Sequence, residues 1–349
     1  MNSKNLMGST AALIMMSTML VPAGPAFAGW EALPDVAPAP KDNPTTDVKV
    51  ALGKMLFMDP RISSTGTVSC NSCHNVMEGG DDSRTFSMGV HGKIGGRNAP
   101  TVWNSAFHSV QFWDGRADLL EDQAKGPITN PIEMGEPDHD HTMAKIKAIP
   151  GYKPYFEKAF GSDSMNIDNL AKAIAAFERT LITPDSPYDK YVKGDKKAMT
   201  AQQVSGMEIF AATGCTSCHS GAAFNGPKME FGQGFYAKFP TFTDNVYNKK
   251  YDLSADKGRE QATGKAADAH MFRVATLRNI TDTAPYFHNG SVNDLSVAVR
   301  LMAKTQLNKD LSEKDVKDIV AFLGALTGPY PEITMPRLPA TSGFSLVAD

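Results

Sequence analysis

The pattern of hydrophobic and polar residues predicts a mainly α-helical protein. Hydrophobic side chains recur every three or four positions in "IDNLAKAIAAFERTLI", residues 167–182, which places them on one face of a helix. The same spacing predicts a short amphipathic helix over 48–56, after a Thr/Asp cap, and a C-terminal helix that Ser312 caps and Gly328 and Pro329 end. The chain has no clear run of alternating polar and hydrophobic residues, so we predict no strand.

Two features divide the chain into halves. The segment "TPDSPYDKYVKGD", residues 183–195, interrupts the helical pattern with prolines and predicts a domain boundary. A Thr-x-x-Gln capping box at Thr200 and Gln203 then predicts a helix that opens the second half. Residues 61–96 are rich in Gly, Ser, Asn and Asp, so we expect loops there whose core comes from another source. A length of 349 residues agrees with two domains of ~100–200 residues each.

The N-terminus has the three parts of a bacterial signal peptide. One lysine precedes an apolar run from Ala11 to Val21, and Ala26-Phe27-Ala28 forms a small-residue cleavage site. An uncleaved anchor is the alternative, but the run is shorter than the ~20 residues that cross a bilayer. We therefore predict a signal peptide over 1–28, a periplasmic protein that begins at Gly29, and no membrane span in the mature chain. A net charge of −3 without a basic stripe argues against nucleic acid as a partner.

All four cysteines lie in two copies of the pattern Cys-x-x-Cys-His. In an exported protein these cysteines could form disulfides, hold zinc or act as redox pairs. The pattern also matches c-type haem, in which both cysteines form thioethers and the histidine ligates iron. Because a disulfide or zinc site needs no histidine at the next position, we predict two covalently bound haems c. Their attachment sites and iron ligands are Cys70, Cys73 and His74, and Cys215, Cys218 and His219.

The sixth ligand of each iron determines what that haem can do. The chain has 8 histidines and 18 methionines, and spacing alone does not choose among those outside the two motifs. A histidine ligand lowers the reduction potential, whereas the soft, neutral thioether of methionine raises it. A chain with one haem ligated by two histidines and one ligated by histidine and methionine would have one haem for chemistry and one haem that stores an electron.

From residue 48 to the C-terminal helix, the chain resembles the bacterial dihaem cytochrome c peroxidases. The stretches that carry the resemblance, besides the two cysteine motifs, are "LGKMLFMDPRIS", "GGRNAPTVWN", "QFWDGRADLLEDQAKGPI", "LRNITDTAPYFHNGSV" and "LSEKDVKDIVAFLGALTG". The resemblance implies two cytochrome c-like domains with extensive loops, each around one haem. The peroxidatic domain would span 29–184 and the electron-transfer domain 185–327, with the tail, 328–349, packed on the first domain.

The resemblance also implies roles for single residues. His91, in the loop before "GRN", would be the sixth ligand of the peroxidatic iron, and Met302 that of the second iron. A surface histidine and a core methionine are the alternatives. Trp113 would relay electrons between the haems, a role compatible with a core position. Gln123 and Glu133 would line the peroxide pocket, where Glu133 would move a proton between the peroxide oxygens; the alternative for Glu133 is a solvated loop position.

The implied reaction reduces H₂O₂ to two waters with electrons from a small soluble carrier, a cytochrome c or a cupredoxin. The resemblance further implies a homodimer and a Ca²⁺ between the haems, held by Asn98, Thr283 and Pro285. Related methylamine-utilisation enzymes carry a tyrosine where this chain has Met302, which favours the peroxidase. A dihaem electron carrier without peroxidase activity is the alternative, although a carrier needs no acid–base residues beside its iron.

Overall fold

A computed structural model describes residues 29–341 and shows, within that range, a mainly helical protein with one two-stranded ribbon. The predicted signal peptide lies outside the described residues, as does the end of the tail, 342–349. The α-helices are, in chain order, α1 (Asp47–Met58), α2 (Cys70–Cys73), α3 (Leu120–Thr129), α4 (His139–Lys147), α5 (Lys153–Phe160), α6 (Ile167–Glu178), α7 (Pro187–Val192), α8 (Ala201–Thr213), α9 (Val246–Tyr251), α10 (Glu260–Thr263), α11 (Leu295–Leu307) and α12 (Glu313–Ala325).

The ribbon pairs strand β1 (Tyr236–Lys238) with strand β2 (Met271–Arg273) in antiparallel register. It corrects the prediction that the chain has no strand. Each strand has only 3 residues, too few for alternation of polar and hydrophobic side chains to be recognised. The expected loop region, 61–96, contains α2 and otherwise only short turns.

The helices predicted from periodicity are confirmed, with small shifts at their ends. α6 ends at Glu178, although the periodic pattern continues to the buried Leu181. α12 starts where predicted, because the Ser312 side chain accepts a hydrogen bond from the N–H of Asp315 at 3.1 Å. The capping box of α8 is also confirmed: the Thr200 N–H donates to Gln203 Oε1 at 2.9 Å, and the Gln203 N–H donates to Thr200 Oγ1 at 3.2 Å.

The two halves are built on the same kind of helix pair, although their sequences share little outside the cysteine motifs. α1 packs against α6 in the first half, and α8 packs against α12 in the second. A glycine permits the close approach in each pair: a Cβ on Gly53 would overlap the carbonyl oxygen of Ala173, and one on Gly206 would overlap that of Asp318. In both halves the first helix of the pair precedes the Cys-x-x-Cys-His motif, so this packing positions the motif.

The described part of the tail lies on the first half. The ring of Tyr330 meets the ring of the fully buried Trp103 edge-on, with centroids 4.8 Å apart. Arg61 donates a hydrogen bond to the carbonyl oxygen of Pro339 at 2.8 Å, and Ile333 packs against the core of the first half. Among residues 29–341, none of the helices is both long and apolar enough to cross a membrane.

Candidate active site

The first motif is held by a one-turn helix and a capping box. Ser69 precedes α2, and its backbone N–H donates a hydrogen bond to Ser72 Oγ at 3.0 Å. His74 follows α2, and its Nδ1 lies 3.0 Å from the carbonyl oxygen of Pro100. This contact occupies Nδ1 and leaves Nε2 as the ring nitrogen available to a metal. Burial lowers the pKa of His74, which favours the neutral imidazole that binds iron.

The second motif repeats the arrangement with different residues. Nδ1 of His219 lies 2.9 Å from the carbonyl oxygen of Phe224, so Nε2 is again the available nitrogen. Burial likewise lowers the pKa of His219. None of the four cysteines forms a disulfide. Burial raises the pKa of the Cys73 thiol to about 11, so the free thiol is protonated at neutral pH.

Each motif opens into its own cavity. The first cavity has a volume of about 960 Å³ and is lined by both cysteines of the first motif, His74, Gln123 and Glu133. The second has a volume of about 250 Å³ and is lined by both cysteines of the second motif, His219 and Met302. The structure thus brings together the predicted haem-attachment residues of each half, and it places Met302, on α11, in the same cavity as His219.

A common wall separates the two cavities. Trp113, His108, Arg273 and His288 line both of them, as does the segment 98–101. The indole N–H of Trp113 donates to the carbonyl oxygen of Asn98 at 2.9 Å, which fixes the ring within this wall. Trp113 therefore contacts both cavities, as a residue between two haems must.

Arg273 and His108, which were not predicted as site residues, contact each other in the common wall. The Arg273 side chain is buried, its Nε donates to the carbonyl oxygen of Phe112 at 3.0 Å, and its Nη1 lies 2.7 Å from Nε2 of His108. Burial lowers the pKa of Arg273 to about 10. Within residues 29–341 no carboxylate forms an ion pair with this guanidinium. A buried cation without an acidic partner fits the propionate groups of a haem. Only the fold reveals it, because nothing in "MFRVATL" indicates that Arg273 is buried away from any carboxylate.

Both predicted acid–base residues line the first cavity. Glu133 is partly buried, and its Oε1 accepts a hydrogen bond from the Asn130 side-chain amide at 3.0 Å. Burial raises the pKa of Glu133, and the Arg116 guanidinium opposes that shift. Gln123 lies on α3 and lines the same cavity. A carboxyl group with a raised pKa beside an amide can exchange a proton and orient a small polar ligand.

His91 is not brought to the first cavity. It lies in a single turn, Val90–Gly92, with φ of 56°, and its side chain is exposed. It is not among the residues that line the cavity around His74. Ligation of iron by His91 therefore remains a prediction, and it requires the loop to move inward.

The predicted calcium ligands also lie close together. Asn98, Thr283 and Pro285 all line the second cavity. The Asn98 side-chain amide donates to the carbonyl oxygen of Arg84 at 2.8 Å, which leaves its Oδ1 as the free acceptor. Asp81 lines the same cavity and is 1% exposed, and neither carboxylate oxygen has a hydrogen-bond partner among the described residues. Neutral oxygens beside an unpaired carboxylate fit Ca²⁺.

The comparisons with known proteins agree with this geometry. Residues 47–197 match the family described as di-haem cytochrome c peroxidase. The chain is 44% identical over 291 residues to the cytochrome c551 peroxidase of Nitrosomonas europaea, covering 83% of each chain. It is 41% identical over 350 residues to the cytochrome c551 peroxidase of Pseudomonas aeruginosa, covering 98% of each.

A solved structure is similar as well. It is the crystal structure of a MauG-like protein associated with microbial copper homeostasis, with a TM-score of 0.73 and 29% identity over 85% of this chain and 95% of that chain. The mainly helical, cytochrome c-like fold predicted from the sequence is thus confirmed. On these grounds, the chain belongs to the di-haem cytochrome c peroxidase family.

Proposed function

We propose that this protein is a periplasmic peroxidase that reduces hydrogen peroxide to water with electrons from a small soluble donor, a cytochrome c or a cupredoxin. The observation that carries the proposal is the first cavity, where Glu133 and Gln123 face the same space as His74. An electron carrier needs no such pair. The relatives named cytochrome c551 peroxidase support the reaction, and the signal-peptide pattern at the N-terminus supports the location.

Within this proposal the side chains of the first cavity handle peroxide and its protons. A haem bound at Cys70 and Cys73 supplies the redox-active iron. Glu133 takes the proton from the near oxygen of peroxide and returns it to the far oxygen as the O–O bond breaks. Asn130 holds Oε1 of Glu133 at 3.0 Å, so the carboxyl group stays aimed while it exchanges the proton. Gln123 hydrogen-bonds to peroxide and orients it.

The common wall supports electron transfer between the halves. Met302 and His219 line the second cavity and would hold the iron of a haem bound there. A thioether together with an imidazole favours a high reduction potential, so this haem would accept electrons from a donor. Trp113 contacts both cavities and would relay the electron to the first. The methionine at position 302 distinguishes this chain from the tyrosine-containing methylamine-utilisation enzymes.

His91 would act as a removable ligand of the first iron. Its side chain is exposed in this structure, so moving that side chain costs little packing of its own. We propose that His91 would leave the first iron once the second half has received an electron, and that its departure would open the first cavity to peroxide. Ca²⁺ bound by Asn98, Thr283 and Pro285 would fix the segment between the cavities, and we expect a homodimer.

The test is peroxide-dependent oxidation of a reduced carrier. Purified protein with two haems is mixed with reduced cytochrome c or a reduced cupredoxin, and donor oxidation is followed before and after addition of H₂O₂. The proposal predicts two donor molecules oxidised per peroxide. A dihaem electron carrier would accept electrons from the donor and then stop, with peroxide left unchanged.

A further inference from the structure

A second carboxyl group faces the first cavity. Glu178, the last residue of α6, lines that cavity one turn after Ile174. Its side chain is 5% exposed, and its Oε2 has no hydrogen-bond partner among residues 29–341. An unpartnered polar atom at such a depth is costly, so it needs a ligand, a water molecule or its own proton.

A buried polar cluster lies behind Glu178. Glu121, on α3, forms an ion pair with Arg179, and both side chains are buried. Glu121 Oε2 and Arg179 Nη1 also lack partners within the described part of the chain. Together with Glu178 they give three unsatisfied polar atoms in one cluster. A buried water needs two to four such partners, so ordered water would join Glu178 to this ion pair.

The cluster continues to the protein surface. The Asn43 side-chain amide donates to Glu121 Oε1 at 2.6 Å and to the carbonyl oxygen of Lys172 at 3.0 Å. Lys172 pairs with Asp42 at 2.9 Å, and the Asp42 side chain is 71% exposed. Polar groups therefore line a path from the first cavity toward the surface that carries α1, α3 and α6. Because Asn43 contacts the backbone carbonyl of Lys172 whereas Nζ of Lys172 pairs with Asp42, ordered water must complete this path to solvent.

We propose that Glu178 transfers protons between this polar chain and the first cavity. The inference rests on the proposed peroxidase function, since H₂O₂ + 2e⁻ + 2H⁺ → 2H₂O consumes two protons that must come from solvent. The two electrons come from the soluble donor, the O–O bond breaks, and Glu133 moves the proton of peroxide itself. Glu178 supplies protons from outside and is then reprotonated from solvent through ordered water beside Glu121 and Arg179, while Asn43 holds Glu121 in place.

The electrostatics of Glu178 agree with this role. Burial raises its pKa to about 8; the Arg179 guanidinium opposes the shift and the Glu121 carboxylate adds to it. At neutral pH the carboxyl group therefore holds a proton, which it can donate. Glu178 lines the same cavity as Cys70, where the first haem would attach, so the charge of Glu178 would act on that haem.

The test compares Glu178→Gln with Glu157→Gln, a control at an exposed site on α5 whose side chain is 41% exposed. Glutamine keeps the size of the side chain but cannot release a proton. In the wild type the potential of the first haem should fall with rising pH around the pKa of Glu178, because reduction favours the protonated carboxyl. In Glu178→Gln this dependence should flatten, and peroxide turnover should slow about 10-fold, less than the ~10²–10⁴ of a group acting directly on peroxide.

The outcomes separate the two proposals. If the wild type reduces no peroxide, the proposed function is wrong, while the pH dependence of the potential still tests Glu178. If Glu178→Gln keeps the pH dependence and turnover of the wild type, Glu178 transfers no proton. Should this variant fail to fold, infrared difference spectroscopy of the wild-type holoprotein decides: a protonated carboxyl band that changes on haem reduction supports the inference, and its absence overturns it.

Discussion

Replacing Glu133 by glutamine tests the chemistry of the first cavity. Glutamine retains an oxygen that can accept the hydrogen bond Asn130 now donates to Oε1 at 3.0 Å, so the side chain should keep its place. It cannot take up or return a proton. A positioned acid–base group contributes about 10²–10⁴-fold to rate, so we expect peroxide turnover to fall by that factor, equivalent to about 3–5 kcal/mol of activation free energy.

The pH dependence adds a second readout. Burial raises the pKa of Glu133, so its basic form should be lost as the pH falls through a range above that of an ordinary glutamate. Wild-type turnover should decline over that range, and Glu133→Gln should lack this decline. The assay is stopped-flow mixing of half-reduced protein with H₂O₂ at several pH values, with Glu208→Gln, at an exposed position on α8, as the control. Wild-type turnover in Glu133→Gln would show that another group carries the proton.

Three further predictions concern ligands and stability. Met302→His should lower the potential of the second haem, because imidazole favours ferric iron relative to a thioether; an unchanged potential in a redox titration would mean that another residue is the ligand. His91→Gly should let oxidised protein react with peroxide without prior reduction. A variant that stays inert toward peroxide and shows a low-spin spectrum would contradict the role of His91 as a removable ligand. Asp189→Ala should lower the free energy of unfolding by about 3–5 kcal/mol, because Asp189 and Arg278 form an ion pair with both side chains 0% exposed. Denaturant titration should show a much smaller change for Asp185→Ala, whose side chain is 54% exposed.

Local signals predicted the parts of this protein that depend on neighbouring residues. Three such signals are the hydrophobic periodicity of residues 167–182, the N-cap at Ser312 and the capping box at Thr200. Each depends on residues close together in the chain, and each predicted a helix that the structure contains. The Cys-x-x-Cys-His motifs predict the haem sites from sequence alone because attachment and ligation use five consecutive residues. The close helix crossing at Gly53 was not predicted, since its partner lies on α6, far along the chain.

The common wall could not be predicted for the same reason. Arg273 and His108 come from different halves, and nothing near either residue indicates that their side chains meet. In the sequence, Glu178 lies within a helical pattern that gives no sign of a functional role. Only the fold shows that its carboxyl group faces the first cavity. Glu133 was identified through the resemblance, because a lone glutamate in "NPIEMGEP" would otherwise suggest a solvated loop.

The most direct test of the central claim is a single turnover of half-reduced protein. Protein in which only the second haem is ferrous is mixed with one equivalent of H₂O₂, and the ferrous absorbance of that haem and the remaining peroxide are followed together. If peroxide is reduced in the first cavity with an electron that crosses the wall at Trp113, the ferrous signal should disappear as peroxide is consumed. A ferrous signal that persists while peroxide remains unreacted would contradict the account and leave an electron carrier in its place.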